Sequence, residues 1–327
     1  MNVRPTMLLC LLLAALTASG MPHSARAQSE STRSGKILVP VPPGGTSDLV
    51  GRLVAETLRE AVGKPIVVEN KPGATGRIAA EALKNAAPDG TTLLVAPIAL
   101  PVFVPLLVKE FRFEPGRDFV PVAQIAEFSY ALAVNSDHPA RNLQEFLAWA
   151  KANPTKAAFG TAAAGSVPHL LGVRLSQSSG VSLEHIPHRG ADQVQVELMS
   201  GDIAAGIGAL SDFIELHRAG KIRIIATSGP TRSPWLPTVA TFREQGFAAA
   251  EAAGWTGLFA PAGTPKPIVN ALSAAIVKSM QLQAVREKYI GMGVEPTGTT
   301  PEAFAAIIAA DTARWAPLIK AVGFSAE

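Results

Sequence analysis

The chain has 327 residues, of which 48% are hydrophobic and 17% charged, and its formal net charge is +3 at pH 7. This length and apolar content suit two α/β domains with cores large enough to need no disulfides. Without Arg4 and Arg26 of the N-terminal stretch, 27 basic side chains face 26 acidic ones, which argues against nucleic acid as a partner. The one cysteine, Cys10, lies in that stretch, so the rest of the chain has no thiol chemistry.

Residues 1–27 have the features of a secretory signal peptide. Arg4 precedes an apolar core over residues 7–16, and Ala25-Arg26-Ala27 has the small-x-small form of a cleavage site. The apolar core is far shorter than the roughly 20 residues of a membrane span. Cys10 lies too early for a lipoprotein anchor. We therefore expect cleavage after Ala27 and a soluble periplasmic protein.

Two glycine-rich turns follow the first two predicted strands. Residues 42–48 follow a strand at 37–41, and residues 69–77 follow a strand at 66–68. Each turn precedes a stretch with helical periodicity, so the sequence predicts a βαβαβ unit that closes with a strand at 92–96. This topology brings two helix N-termini to the same edge of one sheet.

Such an edge favours anions. The first N–H groups of a helix lack partners, the helix dipole adds positive charge there, and glycine lets a ligand approach the backbone. The simpler interpretation is that these are tight turns with good caps. Their repetition at matching positions favours an anion site, and we expect Asp48 to be a helix-start residue first and a ligand contact second.

A second α/β series is predicted from Tyr130. An apolar strand at 130–135 is followed by Asn142 and Glu145, which are spaced like a capping pair. Later strands end in loops at 162–166 and 187–190, and a second domain whose loops face the first would form a ligand cleft. A strand near Trp255 and three helices then return to the first domain. The expected domains are residues 28–130 with 255–327, and residues 131–254; two chain crossings would permit hinge closure.

Several sequence blocks together resemble one known family. They include 39–48, 67–76, 87–94, 118–122, 165–170, 220–223, 232–239 and 254–261. In this order they resemble the Bug family, the extracytoplasmic solute receptors of tripartite tricarboxylate transporters, over essentially the whole mature chain. The resemblance implies a type II periplasmic binding protein-like α/β fold with two domains. It also implies a monomeric receptor, not an enzyme, that takes a small carboxylate to membrane permease subunits and needs no cofactor or metal.

The resemblance further implies which residues hold the carboxylate. Two loops of the first domain supply mainly backbone N–H groups, and loops of the second domain supply side chains. Carried onto this sequence, the ligand-binding residues are Pro43, Gly44, Gly45, Thr46, Ser47, Asp48, Gly73, Ala74, Gly76, Thr161, Ser166, His169, His188, Arg189 and Gly190.

Three departures from the family pattern concern the ligand. After the third strand the family often has Gly, Ser or Thr, and this chain has Ala96-Pro97-Ile98-Ala99-Leu100. His188 stands where the family usually has Tyr, and residues 162–164 are three alanines. These changes favour a less polar carboxylate, such as an aromatic acid, over a citrate-like or amino-acid-like ligand.

The charged and imidazole side chains each allow two interpretations. Arg189 could pair with a second carboxylate, or be a solvated loop arginine. His188 is equally open. A structural role is favoured for His169, and His185 is expected to be a satisfied core or edge residue of its strand. The histidines are not at zinc-ligand spacing, which argues against a metal site. Asp212 could reach an amine, although capping is the simpler role.

Catalysis has little support in the sequence. There is no Gly-x-Ser-x-Gly elbow and no phosphate-loop pattern. Ser166 and His169 are too close in sequence to form a triad without an acid supplied by the fold. The alternatives to a transport receptor are therefore a ligand sensor for a membrane receptor, with the same fold, and a secreted serine hydrolase.

Overall fold

The structure is a computed structural model that describes residues 34–44, 46–73, 76–107, 116–188 and 190–322. The predicted signal peptide and its cleavage site lie outside the described residues. So do three residues of the predicted ligand site, Gly45, Ala74 and Arg189.

Strands and helices alternate for most of the chain. The strands are β1 (Gly35–Val39), β2 (Ile66–Asn70), β3 (Thr92–Pro97), β4 (Phe119–Asn135), β5 (Ala158–Thr161), β6 (Glu184–Pro187), β7 (Ala205–Ala209), β8 (Ile222–Thr227), β9 (Ala253–Pro261) and β10 (Glu295–Pro296). The helices are α1 (Thr46–Val62), α2 (Arg77–Lys84), α3 (Val104–Leu107), α4 (Leu143–Ala152), α5 (Val167–Ser179), α6 (Ala191–Ser200), α7 (Leu210–Arg218), α8 (Lys266–Ser279), α9 (Gln283–Gly291) and α10 (Pro301–Val322). A π-helical turn, Ala99–Phe103, leads into α3, and a 3₁₀ turn, Ala248–Ala250, precedes β9.

The strands form two sheets of the same order that share β4. The first runs β2-β1-β3-β9-β4 with β10 on the far side of β4, and the second runs β6-β5-β7-β4-β8. Strands β2, β1 and β3 of the first sheet are parallel, and so are β6, β5 and β7 of the second. The next strand in each sheet, β9 in the first and β4 in the second, is antiparallel to this group. We call the first sheet, with residues 119–129 of β4 and helices α1–α3 and α8–α10, the first half. The second half is the other sheet, with residues 130–135 of β4 and helices α4–α7.

Strand β4 is much longer than the sequence indicated. The prediction began it at Tyr130, but it starts at Phe119 and runs for 17 residues. Its N-terminal part pairs with β9, and from Tyr130 it pairs with β7. The register against β9 shifts between Pro121 and Ala123 and again between Gln124 and Ala126. These irregularities, and a proline within the strand, break the alternation by which a strand is recognised in sequence. The predicted domain boundaries at residues 130 and 255 stay a prediction.

The two chain segments that cross between the halves are bonded to each other. Ser228, which is fully buried, donates its backbone N–H to the Tyr130 carbonyl at 2.9 Å. Its hydroxyl accepts the Tyr130 N–H at 2.8 Å and donates to the Ala252 carbonyl at 2.5 Å. The Ala252 N–H donates to the Ser228 carbonyl at 2.9 Å. One serine therefore connects the outgoing and returning segments.

Amphipathic helices cover both faces of the sheets. Helix α1, for example, buries Val50, Val54 and Leu58, spaced four residues apart on one side. The buried hydrophobic side chains form three clusters. The cluster that contains these α1 residues lies in the first half, a second cluster lies in the second half, and the largest includes residues of both halves. Among the described residues no single helix is long and apolar enough to cross a membrane. Helices α8 and α9 together have that length and composition, but they are bent by 83° at their junction.

Candidate ligand-binding site

The two glycine-rich loops of the first half start side by side. Strands β1 and β2 are parallel, and their last residues, Val39 and Asn70, face each other in the register. The loops at 40–46 and 71–76 therefore leave the sheet at the same level and lead into the N-termini of α1 and α2. The predicted pairing of helix N-termini at one edge is present in the fold.

Asp48 joins these loops. Its side chain is 2% exposed, and one carboxylate oxygen accepts the Gly44 N–H at 2.9 Å and the Arg52 Nε at 3.0 Å. The other oxygen accepts Asn70 Nδ2 at 2.8 Å and a second Arg52 nitrogen at 3.1 Å. Asn70 Nδ2 also donates to the Val41 carbonyl at 3.0 Å. The carboxylate thus holds the first loop against the end of β2.

The pKa of Asp48 reflects these contacts. Burial opposes its ionisation, but the hydrogen bonds from Arg52, Gly44 and Asn70 outweigh burial and lower the pKa below its usual value. The ionised carboxylate already accepts four hydrogen bonds inside the protein. In this structure Asp48 positions the loops, and its direct contact with a ligand stays a prediction.

The second loop ends at a helix N-terminus without a side-chain cap. Gly76 is the N-cap of α2, has a φ of 92° and makes no side-chain capping bond. A Cβ there would lie 3.1 Å from Leu100 Cδ1 and 3.2 Å from Pro40 Cβ, so a side chain would crowd both neighbours in addition to the strain of the positive φ. Gly73 has a φ of 118° and its carbonyl accepts the Gly76 N–H at 2.9 Å. Backbone groups rather than side chains therefore shape this anion-favouring loop.

The remaining loop residues of the first half differ in exposure. Pro43 and Gly44 are exposed, Thr46 is half-buried and Ser47 is buried. After β3 the chain turns inward, because Ile98 donates its N–H to the Trp255 carbonyl at 2.9 Å and Leu100 is buried. The third loop is apolar, as its sequence indicates, and it packs beneath the second.

In the second half, polar side chains at the strand ends bond to each other. The Thr161 hydroxyl, which is fully buried, donates to the Ala163 carbonyl at 3.0 Å. Its oxygen also lies 2.8 Å from His185 Nε2, which must then be the donor. Burial, and then His169 and His188, lower the pKa of His185 to about 4, so its ring is neutral at pH 7. His185 was expected to be a core or edge residue, and it is half-buried in the edge strand β6.

Ser166 and His169 form the start of α5. The Ser166 hydroxyl donates to the Ala163 carbonyl at 2.7 Å, and its oxygen accepts the His169 backbone N–H at 3.4 Å, so Ser166 caps the helix. His169 Nδ1 accepts the Gly165 N–H at 3.0 Å. Its ring stacks on His185 with centroids 3.8 Å apart, and burial lowers its pKa. The imidazole therefore closes its own loop, which is the structural role that the sequence favoured.

His188 lies beneath α6. Its side chain is 2% exposed, and Nε2 lies 2.7 Å from Glu197 Oε2. This hydrogen bond is the main reason that the pKa of Glu197 is lowered. A Cβ at Gly160 would come within 2.7 Å of His188 Cε1, so the ring packs over the glycine of β5. Nδ1 has no hydrogen-bond partner among the described residues. The neighbouring Gly190 donates its N–H to the Ala162 carbonyl at 3.2 Å, which joins the two loops.

Asp212 follows β7, the third parallel strand of this half. Its carboxylate accepts the Ala209 N–H at 3.1 Å and so caps α7. Burial, and then repulsion by Asp192, raise its pKa to about 6 although the Ala209 bond opposes the change. Within the described part of the chain, no group of three or more metal-ligating side chains could hold a metal ion.

The fold thus brings the described members of the predicted set to the carboxyl edges of two sheets, and it adds residues that the sequence analysis missed. Asn70 and Glu197 are the main additions, because they hold Asp48 and His188 in place. Asn70 ends a strand and precedes a glycine-rich loop, which is the signal that could have identified it. Glu197 has no such signal, since its contact depends on α6 lying over β5.

Comparison with known proteins identifies the family and the fold of this chain. A family model described as the tripartite tricarboxylate transporter family receptor matches residues 50–324. The chain is 32% identical to protein BugT of Bordetella pertussis over 319 residues, which cover 97% of this chain and 98% of that one. It is 31% identical to a Cupriavidus necator protein over 314 residues, or 95% and 94% of the two chains.

Solved structures with 29% sequence identity are similar over nearly the whole fold. A protein of R. palustris with adipate has a TM-score of 0.79, and the match covers 90% of this chain and 98% of that one. MatC from Rhodopseudomonas palustris with bound malate has a TM-score of 0.74, with 88% and 99% covered. The periplasmic binding protein BugD has a TM-score of 0.75, with 90% and 99% covered. These similarities confirm the predicted two-domain periplasmic binding protein-like fold with its cleft.

Proposed function

Because this chain belongs to the receptor family of the tripartite tricarboxylate transporters, we propose that it captures a small carboxylate in the periplasm and delivers it to the membrane permease of such a transporter. Members of this family are extracytoplasmic solute receptors. In this proposal the mature chain begins after Ala27 and acts as a monomer. The carboxylate lies in the cleft between the halves, and the chain performs no chemistry on it.

One observation carries the proposal: two helix N-termini lie at one sheet edge, next to glycine turns, and the second helix has no side-chain cap. The register of Val39 with Asn70 aligns the loops. The N–H groups of the first turn of α2 are therefore suited to an anion. The adipate and malate in two similar structures are carboxylates as well. The apolar loop after β3 favours a ligand with an apolar body.

The hydrolase alternative has less support in the geometry. The Ser166 hydroxyl donates to a carbonyl and accepts a backbone N–H, as a helix cap does. His169 turns Nδ1 to the Gly165 N–H and stacks on His185. A nucleophile needs a base within hydrogen-bond reach of its hydroxyl, whereas the Ser166 hydroxyl donates to the Ala163 carbonyl. A sensor would use the same site, so only its membrane partner would differ.

Thermal melting of residues 28–327 tests the proposal. The protein is unfolded and refolded to remove any carried ligand, and then melted with mono-, di- and tricarboxylates, aromatic acids and acidic amino acids. A true ligand at about one hundred times its dissociation constant stabilises the folded state by roughly 2.7 kcal/mol. We expect a shift confined to one class of carboxylate. No shift with any of them would contradict the proposal.

A matched pair of glycine substitutions locates the site. Gly73 and Gly180 both have positive φ, 118° and 68°, but only Gly73 lies in a predicted ligand loop. Alanine at either position costs about 1 kcal/mol of conformational strain, and at Gly73 its Cβ would also displace the flexible end of Ile78, 2.9 Å away. We expect Gly73→Ala to weaken carboxylate binding at least ten-fold, and Gly180→Ala to leave it unchanged. Equal affinity in both variants would place the ligand elsewhere.

A further inference from the structure

Arg174, on helix α5 of the second half, forms hydrogen bonds that connect this half to the first. One of its terminal nitrogens donates to the Arg314 carbonyl of α10 at 2.8 Å, and the other donates to the Ala249 carbonyl at 3.2 Å. Its guanidinium carbon lies 5.2 Å from the ring centroid of Trp315. A single side chain of α5 thus contacts both α10 and the segment that returns to β9.

Arg314 completes this cluster. Its guanidinium carbon lies 5.7 Å from the Trp315 ring, and it donates to the Glu251 carbonyl. The Glu251 carboxylate in turn pairs with Arg243. Burial, and then the charge of Arg314, lower the pKa of Arg174, so the contact holds two cations together against their repulsion. The tryptophan ring and the carbonyl oxygens offset this cost.

The two helices that Arg174 joins are fixed to different halves. In α10, Phe304 packs on Trp255 and Phe259 of β9, with centroids 5.1 and 5.2 Å apart. In α5, Gly172 lies so close to β5 that a Cβ there would be 2.2 Å from the Phe159 ring. Each helix therefore moves with its own sheet, and a change in the angle between the halves must alter the Arg174 contact.

The structure also leaves room for such a change. A groove of about 410 Å³ lies between the helices beside the cluster and is lined by Arg174, Gln177, Ser178, Ala249, Pro317 and Leu318. The predicted ligand residues Ser166 and His169 stand at the N-terminal end of the same α5. Arg174 follows His169 by five residues, or about 7.5 Å along the helix axis. A shift of α5 at Arg174 would therefore displace the ligand loop.

We propose that Arg174 is a positioning residue for ligand binding. By tying α5 to α10 it sets the resting separation of the two halves, and with it the place of the Ser166–His169 loop opposite the glycine loops of the first half. The expected effect of Arg174 on ligand affinity rests on the proposed function. Its expected effect on the separation of the halves does not depend on any ligand.

A distance measurement in the ligand-free protein tests the first part. The only cysteine, Cys10, lies in the predicted signal peptide, so spin labels can be placed by Val67→Cys and Val196→Cys. These positions are 57% and 60% exposed and lie in the first and second half. We expect Arg174→Met to broaden the distance distribution markedly and Arg174→Lys to broaden it less. Arg218→Met, which removes an exposed arginine paired with Glu215, is the control and should leave it unchanged.

Binding kinetics with adipate and malate test the second part. If the binding-competent arrangement falls to a fifth of the population, the apparent dissociation constant rises about five-fold. The rise should come from slower association at an unchanged dissociation rate, whereas a lost ligand contact would speed dissociation. Arg174→Lys should recover part of the association rate.

Two results would overturn the inference. One is a ligand-free distance distribution in Arg174→Met that matches the wild type. The other is a weaker affinity that arises wholly from faster dissociation. If neither adipate nor malate binds the wild-type protein, a carboxylate that raises its melting temperature replaces them in the kinetics, and the distance distributions decide whether Arg174 holds the halves whatever the ligand.

Discussion

Asp48 in the first half and Asp212 in the second are each the third residue of a helix that follows a parallel strand. Their pKa values nevertheless move in opposite directions. Asp48 accepts bonds from Arg52 and Asn70 as well as from a backbone N–H, and its pKa is lowered despite burial. Asp212 has one backbone N–H and a repelling neighbour, Asp192, and burial raises its pKa to about 6. The partners brought by the fold, and not the position in the helix, decide the charge.

The difference extends to the loops around them. In the first half the side chains hold the loops together and leave the backbone N–H groups of α2 without a side-chain cap. In the second half the side chains cap their own helices, as Ser166 does for α5 and Asp212 for α7. The side chains of the first half thus hold loops together, whereas those of the second half stabilise the starts of their own helices.

The two carboxylates also give opposite pH dependences. A lowered pKa means that the contribution of Asp48 is present above its unfolded value, near 3.8, and is lost as the pH falls below it. A raised pKa means that folded Asp212 keeps a proton that the unfolded chain releases. Its effect therefore lowers stability as the pH rises from about 4 to about 6.

The largest effect is expected for Asp212→Asn. The difference between its pKa of about 6 and the ordinary 3.8 corresponds to about 3 kcal/mol at pH 8. The amide keeps an oxygen for the Ala209 N–H but has no charge to bury. The variant should therefore be more stable than the wild type at pH 8 and similar at pH 4, as measured by urea unfolding across that range.

Asp192→Asn provides a graded control for this prediction. It leaves Asp212 in place and removes only the repelling charge, so it should give a smaller gain in stability with the same pH dependence. Parallel stability profiles for the wild type and Asp212→Asn would mean that Asp212 is not the group that titrates.

A loss of about 2 kcal/mol is expected for Asp48→Asn at pH 7, because the amide must place a donor against Gly44 or Arg52. The variant should also bind the carboxylate more weakly, since the first loop is no longer held to β2. Glu56→Gln on the same helix is the control. It removes an exposed ion pair with Lys288, and should change stability by less than about 0.5 kcal/mol. Equal losses in the two variants would contradict the role assigned to Asp48.

The smallest effect is expected for Ser166→Ala. Loss of this N-cap should lower the free energy of unfolding by about 1 kcal/mol, because the His169 N–H loses its acceptor. Ser166→Asp should retain the cap and most of the stability. Chemical unfolding of both variants, with Ser178→Ala as an exposed reference in the same helix, measures the difference. Unchanged stability in Ser166→Ala would show that α5 does not depend on this cap.

Local chemistry made the glycine turns and a helix cap predictable. The glycine turns at Gly44, Gly73 and Gly76 have positive φ, as their place between strand and helix suggests. Asn142 accepts the Glu145 N–H at 2.9 Å, as its spacing predicted. Signals of this kind lie within a few residues of one another, so they are visible in a linear chain.

Contacts between distant segments were not predictable in this way. The sequence placed His188 and His169 in cleft loops, but gave no sign that one lies under α6 against Glu197 or that the other stacks on His185. It also missed the first eleven residues of β4, because their register bulges hide the alternation. The predicted contacts of the ligand-binding residues with a ligand stay predictions.

The sequence by itself therefore determined the family, the alternation of strands and helices, and the two anion-favouring turns, since each depends on local pattern and backbone geometry. Only the tertiary structure decided which charges are neutralised and how the halves are joined. The pKa of Asp48 differs from that of Asp212 in part because Asp48 has a hydrogen-bond partner, Asn70, that lies 22 residues away in the chain. Arg174 likewise contacts Arg314, which lies 140 residues away. The free energy of a buried charge depends on what surrounds it in space, and no spacing along the chain specifies that environment.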